Sequence, residues 1–459
     1  MCKLITSLLA AASAVLFLVL IPGNPGLAQS KPLRLIRDAE VESIIRAYAT
    51  PLFQAAGLSA QEIDVYLVND SGLNAFVLPG LDMFINTGLL IRAESPLQVI
   101  GVIAHETGHL AGGHTATRGL SLRRARQGVF ASYVLGLAAA IASGRPELGQ
   151  AVIAGGQDIA LKGLLSYTRG QESAADQAAV RLLNGTGQSP RGLLEFLNIL
   201  SDQEVLLSSN QDPYLRSHPL TQDRINFLRE QTRLSPYGQA GASPRFVALH
   251  ARLRAKLIGF LEPRNRVLQR YPPADLSLPA RYARAISRYR SSDLEGALAQ
   301  IGALIAEHPE DPYFHEVKGQ MLFENGRIVE ALPAYETAVR LLPAAPQLRL
   351  GLAQVQLEAY EVGLNGPELN AKALGHLTEV LRYEPDNAFA WRLTAIAHGR
   401  NGNVGMTALA LAESALARGR GQDARQQAIR AQKILPENSA GWLRATDVEQ
   451  AARRMIGRQ

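Results

Sequence analysis

The spacing of apolar positions changes several times along this chain, and each change marks an element. From about residue 36 to 57, Val41, Ile44, Ile45, Tyr48 and Leu52 recur at helical intervals on one face. Pro51 stands where it could kink or split that helix. The period then shortens. Ile63 to Val68 alternates in part, and Ala75 to Leu78 and Met83 to Ile85 are short apolar runs. Asn69-Asp70-Ser71-Gly72 and Pro79-Gly80 supply turns between them, so a small sheet of about three strands is expected. Ser95-Pro96-Leu97-Gln98 opens another helix, with Ser95 as N-cap, Pro96 in the first helical position and Gln98 completing a capping box. Val99 to Leu110 is apolar almost all round, which predicts burial on every side, and Gly112-Gly113 end the helix. A long helical region is expected to continue to about residue 205. Its most apolar stretch, Val129 to Ala142, has 14 residues and is short for a membrane span, so it reads as a core helix, with a surface facing a membrane or a substrate as the alternative.

Around residues 235–243 the composition turns to Ser, Pro, Gly and Gln, the mark of a linker, and a short helix is expected from His250 to Phe260. From about residue 280 the pattern is one of helical hairpins. Pro309 and Pro343 lie 34 residues apart, each placed to close one helix and precede the next. That period resembles the tetratricopeptide repeat. Pro343 to Pro385 is 42 residues, which points to about eight inserted at Tyr360 to Pro367, and Pro385 to Pro436 is 51, one and a half periods. Three to four irregular repeats follow, a surface suited to proteins or peptides. The expected organisation is a signal segment at 1–28, a first domain at 29–240, a linker with a short helix at 241–279 and repeats at 280–450.

Composition narrows the picture. The chain is 47% apolar and 19% charged over 459 residues, which rules out global disorder. Its 47 Lys+Arg and 41 Asp+Glu are spread along its length, which argues against a nucleic-acid binder. Cys2 is the only cysteine, so a disulfide framework and a catalytic thiol are excluded. Lys3, the apolar run Leu4 to Ile21, the breakers Pro22, Gly23 and Pro25, and Ala28 read as a secretory signal peptide cleaved after Ala28. The expected location is the periplasm, with anchorage of an uncleaved segment in the inner membrane as the alternative.

The chemistry is concentrated at His105-Glu106-Thr107-Gly108-His109. Histidines at i and i+4 project from one face of a helix, about 6 Å apart along the axis. Both imidazoles can therefore reach one zinc ion, and Glu106 can take a proton from an attacking water. A third ligand is needed. His114, five residues past His109, would point about 140° away on a continued helix and reads as a loop residue. Glu172 and Asp176, again i and i+4, are better placed: one can bind the metal while the other orients a histidine. The same spacing is also common on solvated helix faces.

Taken in order, Asn74-Ala75-Phe76 with Pro79-Gly80, the His-Glu-x-x-His helix, Glu172 with Ala175-Asp176, and Ser217-His218-Pro219 with Arg224-Ile225 resemble the HtpX/Oma/CAAX-protease type of zinc metallopeptidase. The resemblance implies a mainly α, zincin-like α+β domain with a small sheet, followed here by the helical solenoid. It implies one zinc ion per chain held by His105, His109 and Glu172, with Glu106 as general base and Asp176 behind the ligands. His218 and Arg224 would lie at the catalytic site, His218 either as a fourth ligand that holds the enzyme latent or as a donor to the tetrahedral intermediate. Asn74, Ala75 and Phe76 would form an edge strand that accepts substrate backbone. The partners implied are unfolded or stalled envelope proteins and, through the repeats, outer-membrane assembly machinery, with no nucleic acid. The competing reading is a chaperone or adaptor in that assembly whose metal site is structural or latent.

Overall fold

A computed structural model describes residues 34–78, 82–114, 169–206 and 218–457. The signal segment, the turn Pro79-Gly80, the apolar stretch Val129 to Ala142 and Ser217 lie outside the described residues. Residues Ile36–Gln459 form one compact unit, described here.

Two strands flank the first helix: β1 is Leu35–Ile36 and β2 is Asp64–Val68, with α1 (Ala39–Ala55) between them. Asp38 caps α1 by accepting from the Val41 N–H, and the helix runs through Pro51 without splitting. Strands β3 (Ala75–Leu78) and β4 (Asp82–Asn86) complete a sheet of order β1-β2-β4-β3. β2 runs parallel to β4 and β3 antiparallel to it, with Tyr66, Phe84 and Phe76 in register across the sheet. Their rings stack at 5.1 and 5.0 Å on one face. Val65, Leu67, Ala75, Met83 and Ile85 belong to the core on the other, as strand alternation demands.

Next come α2 (Thr87–Arg92) and α3 (Pro96–Ala111), the latter buried from Pro96 through Leu110. Ser95 caps α3 through the Leu97 N–H. Gln98 reaches one residue further back than a capping box would, accepting from the Glu94 N–H at 3.0 Å. Helical residues 169–185, here α4, and α5 (Arg191–Leu206) follow. α3 and α5 cross at glycines: a Cβ on Gly101 would lie 2.6 Å from the Leu193 nitrogen, and one on Gly192 2.1 Å from the Leu97 oxygen. α6 is Gln222–Leu234.

Where the sequence suggests a linker with a short helix, the structure has α7 (Pro244–Leu261), 18 residues long, and α8 (Arg264–Arg270). Leu253 and Leu257 of α7 join the core built on α1, α3 and the sheet. His250 donates to Ala93 O at 2.8 Å. The apolar spacing in α7 packs it onto this core, although its flanks read as a loop.

Ten helices complete the described residues: α9 (Leu278–Arg290), α10 (Leu294–Glu307), α11 (Pro312–Glu324), α12 (Ile328–Leu341), α13 (Pro346–Glu361), α14 (Gly366–Tyr383), α15 (Ala388–Arg400), α16 (Val404–Ala417), α17 (Gly421–Ile434) and α18 (Ala440–Ile456). They make five successive pairs, more than the three to four repeats expected. Pro309, Pro343, Pro385 and Pro436 each sit two residues past a helix end. The eight inserted residues lengthen helices: α13 and α14 have 16 and 18 residues against 13 and 14 in α11 and α12.

The start of α1 joins the two parts. Ala39 belongs to a core cluster with Leu322, Tyr335 and Leu348 of the repeats. Lys256 of α7 is fully buried, with Nζ 2.9 Å from Asp38, 3.3 Å from Glu40 and 3.2 Å from Glu316 of α11. Tyr282 of α9 donates to Glu40 at 2.9 Å, and Arg252 pairs with Glu40 and with Asp311. Arg37 bonds to Glu42 at 2.8 Å and to Glu384 at 2.7 Å.

Candidate metal centre

Three segments far apart in sequence converge at one point. α3 supplies His105, Glu106 and His109, α4 supplies Glu172 and Asp176, the turn before α6 supplies His218, and α6 supplies Arg224. All seven are buried. The approach of α3 to α4 depends on Gly108, because a Cβ there would lie 2.8 Å from Ala175 O. Thr107, also buried, satisfies its hydroxyl by donating to Ile103 O at 2.7 Å.

Ligand atoms of His105, His109, Glu172 and His218 all lie within 4.8 Å of one another. His105 Nε2 and His109 Nε2 are 3.1 Å apart, and each is 3.3 Å from a Glu172 oxygen. His218 Nδ1 is 3.0 Å from Glu172 Oε1 and 3.4 Å from His105 Nε2. Donors bound tetrahedrally at about 2.0–2.1 Å from zinc stand about 3.3 Å apart, so these separations fit such an ion. Charge agrees. Glu106, Glu172 and Asp176 bring three carboxylates against one guanidinium, Arg224, and a dication would balance the difference. His105, His109 and Glu172 would hold zinc, with His218 at a fourth corner.

Asp176, one turn from Glu172, lies 2.9 Å from His105 Nδ1, behind the nitrogen that faces the cluster. Arg224 bonds to Asp176 at 2.7 and 2.9 Å, to Glu172 at 2.9 Å and to Pro219 O at 3.1 Å. Its guanidinium thus positions both carboxylates. Without metal, burial opposes charge on His105, yet Asp176 and Glu172 override it and hold its pKa at about 10. Burial dominates at His109 and drops it to about 3. Burial would raise Glu172, but His218, His105 and His109 hold it well below the usual carboxylate range.

The other expected residues take their own places. β3 carries Ala75 and Phe76 at the end of the strand order and packs beside α3. Ala75 faces the core and Phe76 stacks on Phe84, while Asn74 O accepts from the Asn86 N–H at 2.9 Å. His218 also approaches Glu106, with Nε2 3.5 Å from Oε1. His114, read from the sequence as a loop residue, stays outside the group of four, but its Nδ1 is 3.0 Å from His109 Nδ1. The signal for that contact was present in Gly112-Gly113, since a glycine pair can turn the chain back. Sequence reasoning missed Gly108, whose spacing in the motif gives no hint of close packing.

The fold and the buried cluster are a metallopeptidase-like arrangement followed by helical repeats: residues 35–232 match the model for peptidase family M48, and residues 282–348 match a tetratricopeptide repeat model. Among similar proteins, the beta-barrel assembly-enhancing protease of Yersinia pestis is 24% identical over 392 residues, 83% of this chain and 76% of that protein. The protein of that name from Escherichia coli K12 is 23% identical over 389 residues, covering 84% of this chain and 77% of its own. A solved structure of a thermophilic tetratricopeptide repeat protein from Thermus thermophilus aligns with a TM-score of 0.24 and 19% identity, over 36% of this chain and 94% of that one.

Proposed function

We propose that this chain is a zinc-dependent endopeptidase of the periplasm that hydrolyses misfolded or stalled envelope and outer-membrane proteins, its repeats recruiting substrate or assembly machinery. The observation that carries the reading is the buried convergence of His105, His109, Glu172 and His218 within 4.8 Å, next to Glu106. The names of the relatives support the substrate class. Among the described residues no helix is long and apolar enough to cross a membrane.

Zinc held there would polarise the scissile carbonyl and acidify water. Glu106 takes the proton of the attacking water and passes it to the departing amine as the C–N bond breaks. Asp176 keeps His105 in the tautomer that offers Nε2, and Arg224 helps keep Asp176 ionised and aims both carboxylates. The outer edge of β3 gives an extended substrate backbone a strand to pair with, directly beside α3. His218 fills the fourth corner and stands by Glu106, which favours a latent resting state opened when the 218 turn withdraws.

The test is metal content and cleavage of casein by the purified mature chain, with Glu106→Gln as control. Zinc retained and hydrolysis lost is the expected result; equal cleavage by both removes Glu106 as the base. His218→Ala gains activity if the histidine blocks the site and loses it if the histidine assists. The latent arrangement also supports a second reading, an assembly chaperone with a structural metal. It gains if Glu106→Gln maintains envelope integrity in cells as well as wild type. Crosslinking the same variant in cells captures the substrates, and sequencing the mature N-terminus distinguishes a cleaved signal from an anchor.

A further inference from the structure

His114 would leave the site if α3 ran on past Ala111. Instead α3 closes at Gly112, and Gly113 takes φ +62°, a region that side chains disfavour. The turn folds His114 back over the end of the helix. Its Nδ1 comes to 3.0 Å from His109 Nδ1, with the rings 5.1 Å apart and crossed at 75°. The fit is tight on the inner side: a Cβ on Gly112 would lie 2.6 Å from His114 Nε2.

A histidine that ligates through Nε2 keeps its hydrogen on Nδ1, and that hydrogen needs an acceptor which fixes the ring. Behind His105 the acceptor is Asp176. We propose that behind His109 it is His114, acting as a positioning residue whose Nδ1 lone pair accepts the Nδ1–H of His109. Two Nδ1 atoms 3.0 Å apart bond only if one carries hydrogen and the other does not. Hydrogen on His109 Nδ1 is the arrangement that leaves its Nε2 lone pair facing Glu172 and His105. His114 then carries its own hydrogen on Nε2. The two helical ligands are steered by different groups, a carboxylate for one and a neutral imidazole for the other.

This inference rests on the reading of His109 as a metal ligand, and the experiment separates the two. Zinc affinity of the full mature chain is measured by chelator competition for wild type, His114→Phe and His114→Gln. Phenylalanine keeps a ring of similar outline without an acceptor; glutamine restores an acceptor oxygen. The expected result is about 10–100-fold weaker zinc binding in the Phe variant, with recovery in the Gln variant and an unchanged melting temperature of the metal-free protein. Wild-type affinity in the Phe variant, or equal loss in both, overturns the role of His114 while leaving the metal centre intact. A wild-type chain that binds no zinc defeats the metal-centre reading itself. Should the Phe variant misfold, nitrogen NMR of zinc-loaded, histidine-labelled wild type decides: hydrogen on His109 Nδ1 supports the assignment, and zinc on Nδ1 overturns it.

Discussion

Arg224 meets Asp176 edge to edge, Nε to Oδ2 at 2.7 Å and Nη2 to Oδ1 at 2.9 Å, and its third nitrogen reaches Glu172 Oε2 at 2.9 Å. One planar cation thus holds two carboxylates a helical turn apart. Removing it leaves both buried without that partner. Arg224→Ala should destabilise the metal-free protein by about 3–5 kcal/mol. Arg224→Lys should recover little, because an ammonium cannot make the paired contact. Urea unfolding of the metal-free variants checks both, and a loss under about 1 kcal/mol for the Ala variant contradicts the first.

Gly108 sets the distance between α3 and α4. In Gly108→Ala the new methyl would press on Ala175 O, 2.8 Å away. Overpacking of this kind costs about 1–3 kcal/mol, but alanine in a helix interior returns about 1 kcal/mol. Stability should therefore change little while the helices move apart. The expected signature is weaker zinc binding in chelator competition with a melting temperature close to wild type. Unchanged zinc affinity would show that the donor spacing tolerates the shift.

His250 on α7 gives a prediction for pH. Burial is the main cause that lowers its pKa, to about 4, and the bond to Ala93 O only partly opposes it. Between pH 6.5 and 4 the unfolded chain binds a proton that the folded chain does not. Stability from this group is full above pH 6.5 and is lost as pH falls through that window, by up to about 3 kcal/mol. His250→Gln keeps a donor for Ala93 O and should flatten this part of the curve. Parallel pH profiles for the variant and wild type, from denaturant unfolding, would falsify the assignment.

Lys256 gives a prediction about the junction. Its ammonium stands among Asp38, Glu40 and Glu316, and these acids contribute to holding its pKa far above the ordinary value against the opposing effect of burial. Lys256→Met should cost about 3–5 kcal/mol and loosen the repeats from the first domain. Calorimetry should then resolve two unfolding transitions where wild type has one. A single transition with wild-type midpoint would mean that the apolar contacts of Ala39 suffice.

Much of this was legible where the cause is local. Ser95 and Pro96 announce the start of α3, the run Ala75 to Leu78 is strand β3, and the prolines two residues past their helices mark the repeat boundaries. His105, Glu106 and His109 could be read because helical spacing alone puts them together. Glu172 and Asp176 stood out by their own i, i+4 spacing, but the choice of Glu172 as ligand, and the place of His218, came only through resemblance to a family, since nothing in their distance along the chain from α3 says that the fold joins them. The contact of His114 with His109 could not be read from the sequence because its direction depends on one left-handed glycine. α7 was underestimated because Pro, Gly and Ser around it mask a helix held by distant partners. The ion cluster at Lys256 was invisible for the same reason: Tyr282 and Glu40 meet across 242 residues of chain.

Arg37, just before α1, and Ala39, Glu40 and Glu42 in its first turn touch the repeats, while its later turns line the core beneath the sheet. The array is therefore no arm swinging on a tether. A tug on it is passed along α1 directly into the core that α1 shares with the sheet and α3.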